Sequence, residues 1–128
     1  MNTVLVDTCG WIEWITAASL SKKYEPFFEH IETMLVPTSV QFELYKWVER
    51  KHNVQKALEV IALTEQATVI PLTTSIALSA ADFATQYKLS FADAIIYATA
   101  QFHNSELVTS DDHFKDLPDV TFFRKNPG

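Results

Sequence analysis

With 128 residues, the chain is long enough for one real core and too short for two ordinary domains. Its 48% apolar and 20% charged residues exclude a disordered chain, two glycines exclude a glycine-rich phosphate loop, and one cysteine excludes an internal disulfide or a cysteine-based metal site. The net charge of −6 disfavours nonspecific attraction to nucleic acid, so an enzyme of that class needs a local basic surface or a bound cation, whereas a basic protein partner is suited directly.

Thr3-Val4-Leu5-Val6 reads as a short strand buried on both faces of a parallel sheet. No basic segment with an apolar run precedes it and no segment approaches membrane-spanning length, which predicts a soluble, cytoplasmic protein with no membrane partner. Asp7 ends the strand, and Thr8-Cys9-Gly10 leads into a helix carrying Trp11, Ile12, Trp14 and Ile15. A polar link and a helix from about Tyr24 to Ile31 follow. Met34-Leu35-Val36 is a second strand, stopped by Pro37.

Thr38 or Ser39 caps the next helix, roughly Val40 to Lys51, with an apolar stripe of Val40, Leu44, Trp47 and Val48. Asn53 starts another, to about Thr64, with Val54, Leu58, Ile61 and Ala62 at helical spacing. Thr68-Val69-Ile70 is a third strand, and a helix from about Ser75 to Tyr87 comes next. Ser90 caps an almost wholly apolar helix that runs to about Phe102 and carries Asp93 in its first turn. Glu106 to Thr109 is the fourth strand and Val120 to Phe123 the fifth. Strands alternating with helices predict an α/β fold, a mainly parallel central sheet of about five strands flanked by helices, in one domain spanning residues 1–128.

Ligands of such a sheet bind at the carboxyl ends of its strands. Asp7 follows the first strand directly and Asp111 lies just beyond the fourth, both at that edge. Glu43 is in the second turn of the helix after the second strand. The helix of Asp93 must deliver the chain to the opposite edge, so its first turn belongs with the others. Each acid also has a plain structural reading. Asp7 and Asp93 suit helix caps, Glu43 an ion pair with Lys46, and Asp111 a turn, with Asp112 as an alternative for any role of Asp111. Convergence of all four is what those readings leave unexplained. Clustered carboxylates repel and call for a proton or a cation, and an all-oxygen site favours Mg²⁺ or Mn²⁺ over Zn²⁺. Phosphoryl transfer is the chemistry that uses such a site.

Val6-Asp7-Thr8, Glu43, Phe91-Ala92-Asp93-Ala94 and Val108-Thr109-Ser110-Asp111 with His113-Phe114 together resemble the PIN-domain family, and within it the VapC toxins of type II toxin–antitoxin pairs. The third and fourth motifs are the most specific. The resemblance covers essentially the whole chain and implies a Mg²⁺- or Mn²⁺-dependent endoribonuclease acting on RNA. Asp7, Glu43, Asp93 and Asp111 match its catalytic and metal-binding acids, and Thr109 matches a hydroxyl that orders the site. It also implies a small antitoxin as partner and a toxin homodimer. The other readings are an RNA-maturation or structure-specific nuclease of the same fold, and a non-catalytic RNA- or protein-binding module. Cys9 departs from the family, which often has a small hydroxyl residue or Asn there, as does Gly10-Trp11, where an aliphatic pair is common.

His113 reads as a surface or turn histidine, and Cys9 is no nucleophile because Asp7 beside it raises its pKa. Lys46 and Arg50 share the helical face of Glu43, where they either guide an RNA backbone or form a solvated face paired with Glu43 and Glu49. Trp11, Trp14, Phe42 and Trp47 read for the most part as core, with some left to line an apolar groove for a partner helix.

Overall fold

Val4-Leu5-Val6 is an apolar run, two of its three residues β-branched, with no polar side chain to solvate, and it forms the central strand of the sheet. In the computed structural model, which describes residues 2–125, the chain runs β1 (Val4–Val6), α1 (Thr8–Ile15), α2 (Ser21–Phe28), a 3-10 turn (Ile31–Thr33), β2 (Met34–Pro37), α3 (Thr38–Lys51), α4 (Val54–Thr64), β3 (Thr68–Ile70), α5 (Thr74–Tyr87), α6 (Phe91–Phe102), β4 (Glu106–Thr109), a second 3-10 turn (Asp112–Phe114) and β5 (Val120–Phe122). The α/β expectation holds, with five described strands in one sheet, every neighbouring pair parallel, in the order β3-β2-β1-β4-β5. The expected domain of residues 1–128 includes Met1 and residues 126–128, which lie outside those described. No helix among the described residues is long and apolar enough to cross a membrane.

The strand order decides where a site can form. From β1 the chain steps through β2 to β3 on one side, then returns to place β4 on the other. The β1–β4 pair is therefore the switch point, where connections leave in opposite directions and a crevice opens at the carboxyl ends. Leu5 pairs with Leu35 on one side and Leu107 on the other, and all three are buried. α6 lies at the centre of the packing: every residue from Ala94 to Ala100 is buried. Its Tyr97 sits edge-on to Phe83 and Tyr87 of α5, and its hydroxyl donates to Pro118 O at 2.8 Å.

Five local expectations need correction. α2 begins at Ser21 rather than near Tyr24, because Leu20, Tyr24 and Phe28 form one buried stripe four residues apart and the helix must reach back to seat Leu20. Pro37 does not stop β2 short; it is the last strand residue, opposite Ile70, and itself occupies the cap position of α3. Neither Thr38 nor Ser39 caps that helix, and the Ser39 hydroxyl is buried without a partner among the described residues. In α4 the buried positions are Ala57 and Thr64, while Val54 and Leu58 are about half exposed. The apolar residues of α4 occupy more than one face, and packing on α3 selects the face with the small residues. Phe42, expected in the core, is 66% exposed, because Val40, Leu44 and Val48 form the buried stripe of α3.

Gly10 shows why α1 tolerates a helix-weakening residue. A Cβ there would lie 2.4 Å from the Tyr24 ring and 2.5 Å from Val6 Cγ1, so α1 crosses α2 and β1 at a distance only glycine allows. Gly10→Ala is expected to gain about 1 kcal/mol of helix propensity and lose more to overpacking, for a net destabilisation of about 1–2 kcal/mol. Thermal melts would read this as a drop of several degrees, and an unchanged or raised melting temperature would show that Tyr24 yields freely.

Candidate active site

Asp7 ends β1 with its amide still in the ladder, donating to Val108 O at 3.0 Å. As N-cap of α1, its Oδ1 accepts the Thr8 N–H at 2.7 Å, so the capping role is real but occupies one oxygen. Its other oxygen, Oδ2, accepts the Thr109 hydroxyl at 2.8 Å, with Cys9 Sγ at 3.6 Å. Thr109 Oγ1 in turn accepts the Asp111 N–H at 3.0 Å. This single hydroxyl, fully buried at the end of β4, thus ties the acid after β1 to the acid after β4.

Asp111 caps the second 3-10 turn, its Oδ1 accepting the His113 N–H at 2.9 Å, and that turn is pinned by the fully buried Phe114. Across the crevice, the Ser90 hydroxyl accepts the Asp93 N–H at 3.2 Å and caps α6. No bond returns from the Asp93 carboxylate to the Ser90 amide among the described residues, so the capping box is not closed. The carboxylate instead faces His113, with Oδ2 3.1 Å from Nδ1, and the same nitrogen is 3.3 Å from Asp111 Oδ1. Donor atoms of Asp93, Asp111 and His113 all lie within 4.8 Å of one another. Asp112 is exposed and outside this set.

Glu43 comes to the edge by another route. Its Oε1 accepts the Thr8 hydroxyl at 2.6 Å, while the Thr8 amide serves Asp7. One residue therefore holds both Asp7 and Glu43, and Glu43 makes no ion pair with Lys46 among the described residues. Neither Asp7 nor Glu43 belongs to the tight donor set.

Electrostatics follow this geometry. Burial pushes the Asp7 carboxyl up to about 6, against hydrogen bonds from Thr109 and Thr8 that favour the charged form; Asp93 and Asp111 push it up further. Asp93 is raised too, by burial first and then by Asp111, with His113 opposing. The His113 imidazole is raised, foremost by its hydrogen bond with Asp93 and then by the charges of Asp111 and Asp93. Burial, and then Asp7, raises the Cys9 thiol, so Cys9 is no thiolate nucleophile.

Three neighbours of the acids make contacts that the sequence does not disclose: the Thr8 hydroxyl on Glu43, the Cys9 sulfur beside Asp7 and Thr109, and the His113 ring between Asp93 and Asp111. His113 is indeed exposed, yet its ring lies against two acids, and Cys9 Sγ is 3.5 Å from Thr109 Oγ1. Cys9 and His113 each sit two residues past an acid that follows a central strand, and this repeated spacing is the signal that could have found them.

The profile of the PIN domain matches residues 4–120, from the first strand to the start of the last. The chain belongs to the PIN-domain family. This PIN domain is 31% identical over 116 residues to Ribonuclease VapC22 of Mycobacterium tuberculosis, covering 87% of this chain and 88% of that protein. Its fold is shared with the toxin–antitoxin complex from Klebsiella pneumoniae, at a TM-score of 0.79 and 24% identity over 93% of this chain and 96% of that one. The DNA-bound VapBC structure from Salmonella typhimurium matches at a TM-score of 0.77 and 18% identity, over 96% and 98% of the two chains.

A divalent cation suits the donors of this PIN domain. No Lys or Arg pairs with Asp7, Glu43, Asp93 or Asp111 among the described residues; His113 can offset charge at Asp93 and Asp111, and neither the buried Asp7 nor Glu43 has a cationic partner there. Carboxylate oxygens and one imidazole nitrogen are donors that divalent ions accept.

Proposed function

We propose that this PIN domain is a metal-dependent endoribonuclease and the toxin of a type II toxin–antitoxin pair. The observation that carries the reading is the juxtaposition of Asp93 and Asp111 at the β1–β4 switch point beside the buried Asp7. Its 31% identity to a protein named as a ribonuclease supports the same chemistry. Asp93, Asp111 and Asp7 would hold the ion, Mg²⁺ or Mn²⁺. When bound, the ion supplies charge neutralisation on phosphate oxygens and a water activated at neutral pH. Glu43, fixed through one oxygen by Thr8, has its second oxygen available to orient the attacking water or take up its proton. Thr109 keeps Asp7 and Asp111 in register throughout.

RNA is supported by where the positive charge lies. Although the chain carries −6 overall, Lys46 and Arg50 line a groove with Thr8, Phe42, Glu43 and Trp47. Lys115, Arg124 and Lys125 line another beside Ser110 and Phe122. Glu43 itself lines the first groove, and Ser110 and Asp112, the chain neighbours of Asp111, line the second; among the described residues none of these five cations is engaged in an ion pair. Such a distribution lets a phosphodiester backbone approach an acidic centre from either side. The exposed Phe42, with Trp47 and Ile12 in the same groove, suits the apolar part of a small antitoxin, whose Arg or Lys could pair with the acids in place of the metal. A homodimer and a cytoplasmic setting complete the reading.

Purified protein freed of antitoxin is expected to cleave a susceptible RNA with Mg²⁺ or Mn²⁺, to lose all measurable cleavage in EDTA, and to regain it on readdition of metal. Undiminished cleavage after rigorous metal removal would overturn the mechanism.

A further inference from the structure

The sequence points to an all-oxygen cation site, but the donor set that the fold draws together among the described residues contains a nitrogen. We propose that His113 is a ligand of the same cation and determines its identity, favouring Mn²⁺ over Mg²⁺. This rests on the reading of the switch-point edge as a divalent-cation site and adds the residue that selects the ion.

Three features carry the assignment. Nδ1 of His113 lies 3.1 Å from Asp93 Oδ2 and 3.3 Å from Asp111 Oδ1, and the three donor atoms fit within 4.8 Å. One ion with ligands at about 2.1 Å spans about 4.2 Å between opposite donors, so little movement separates this arrangement from coordination. The backbone beneath the ring is held, since the His113 amide donates to Asp111 and the next residue, Phe114, is fully buried. The ring itself is not: the side chain is 72% exposed, and turning it from hydrogen bonding to ligation breaks no packing. Imidazole nitrogen suits transition ions, and Mn²⁺ is the one among them that shares the preference of Mg²⁺ for carboxylates, whereas Mg²⁺ takes oxygen and retains its waters. A ring that only bridges two carboxylates makes the opposite forecast, because any incoming ion would displace it.

The test is calorimetric titration of the intact metal-free protein with Mn²⁺ and with Mg²⁺, in the wild type, His113→Ala and His113→Gln. Gln keeps a hydrogen-bonding side chain and lacks the imidazole nitrogen. His113→Ala and His113→Gln are both expected to weaken Mn²⁺ binding by about tenfold or more, and to change Mg²⁺ binding by less than about threefold. Pulsed paramagnetic resonance of the Mn²⁺ complex should detect coupling to a nitrogen nucleus in the wild type and lose it in both variants. Equal shifts for the two ions, unchanged Mn²⁺ affinity, or a wild-type Mn²⁺ complex without nitrogen coupling would overturn the assignment while leaving the carboxylate site intact. A wild-type protein that binds neither ion would overturn the cation site and this assignment together.

Discussion

Asp93→Asn is expected to reduce RNA cleavage by at least about 100-fold while the melting temperature hardly moves. The two roles available to Asp93 separate in this variant. Capping of α6 belongs to the Ser90 hydroxyl, which accepts the Asp93 amide and is untouched by the change. An Asn side chain retains an oxygen for the His113 ring, so the stability change should stay within about 1 kcal/mol. Removing a half-buried charge that faces Asp111 can even raise stability in metal-free buffer. Activity is different, because a neutral amide is a poor ligand for Mg²⁺ or Mn²⁺. Cleavage rates and thermal melts on the same preparation decide the matter, and a fully active variant would return Asp93 to helix capping.

Asp7→Asn should lose activity as severely and gain stability, where a residue that only capped the helix would leave stability nearly unchanged. The sign follows from linkage. Asp7 is held at about 6 in the fold against 3.8 in the unfolded chain, so between these values the native state binds more protons. Stability is therefore fully present below about pH 4, falls as pH rises, and stays reduced above about 6. A shift of roughly two units corresponds to about 3 kcal/mol at most. Asn keeps an oxygen for the Thr8 amide but leaves its NH₂ toward the Thr109 hydroxyl, so the net gain at pH 7.5 should be smaller, about 1–2 kcal/mol. Melts across pH in EDTA should show this decline in the wild type and its absence in the variant. Adding Mg²⁺ or Mn²⁺ should stabilise the wild type more. A variant that melts below the wild type at pH 7.5 in EDTA would mean that the negative charge of Asp7 supports the fold.

Much of the molecule was legible because its signals are local. Val4-Leu5-Val6, Met34-Leu35-Val36 and Leu107-Val108 are runs that only a sheet buried on both faces accommodates. Asn53 and Ser90 cap the helices expected of them, since a side-chain oxygen meets an amide two or three residues on wherever the chain turns. Asp7 and Asp111 could be placed at the carboxyl edge because each follows a strand, and Asp93 because a parallel β4 leaves its helix no other direction.

The tertiary structure decided what periodicity cannot encode. α4 carries apolar residues on more than one face, and contact with α3 selected Ala57 and Thr64 over Val54 and Leu58. The start of α2 was set by seating Leu20, Tyr24 and Phe28 on the core, and the exposure of Phe42 by the side of α3 left uncovered. In the site, Thr8 links to Glu43 and Thr109 to Asp7, pairs far apart in the chain that meet only because β1 adjoins β4 and α3 packs on α1. The donor set of Asp93, Asp111 and His113 arises in the same way, from a helix start and a 3-10 turn that share no local sequence. Position along the chain and spacing determined which acids stand at the edge of the sheet; strand order and helix packing determined which side chains face one another across it, because those distances depend on neighbours that no local pattern records.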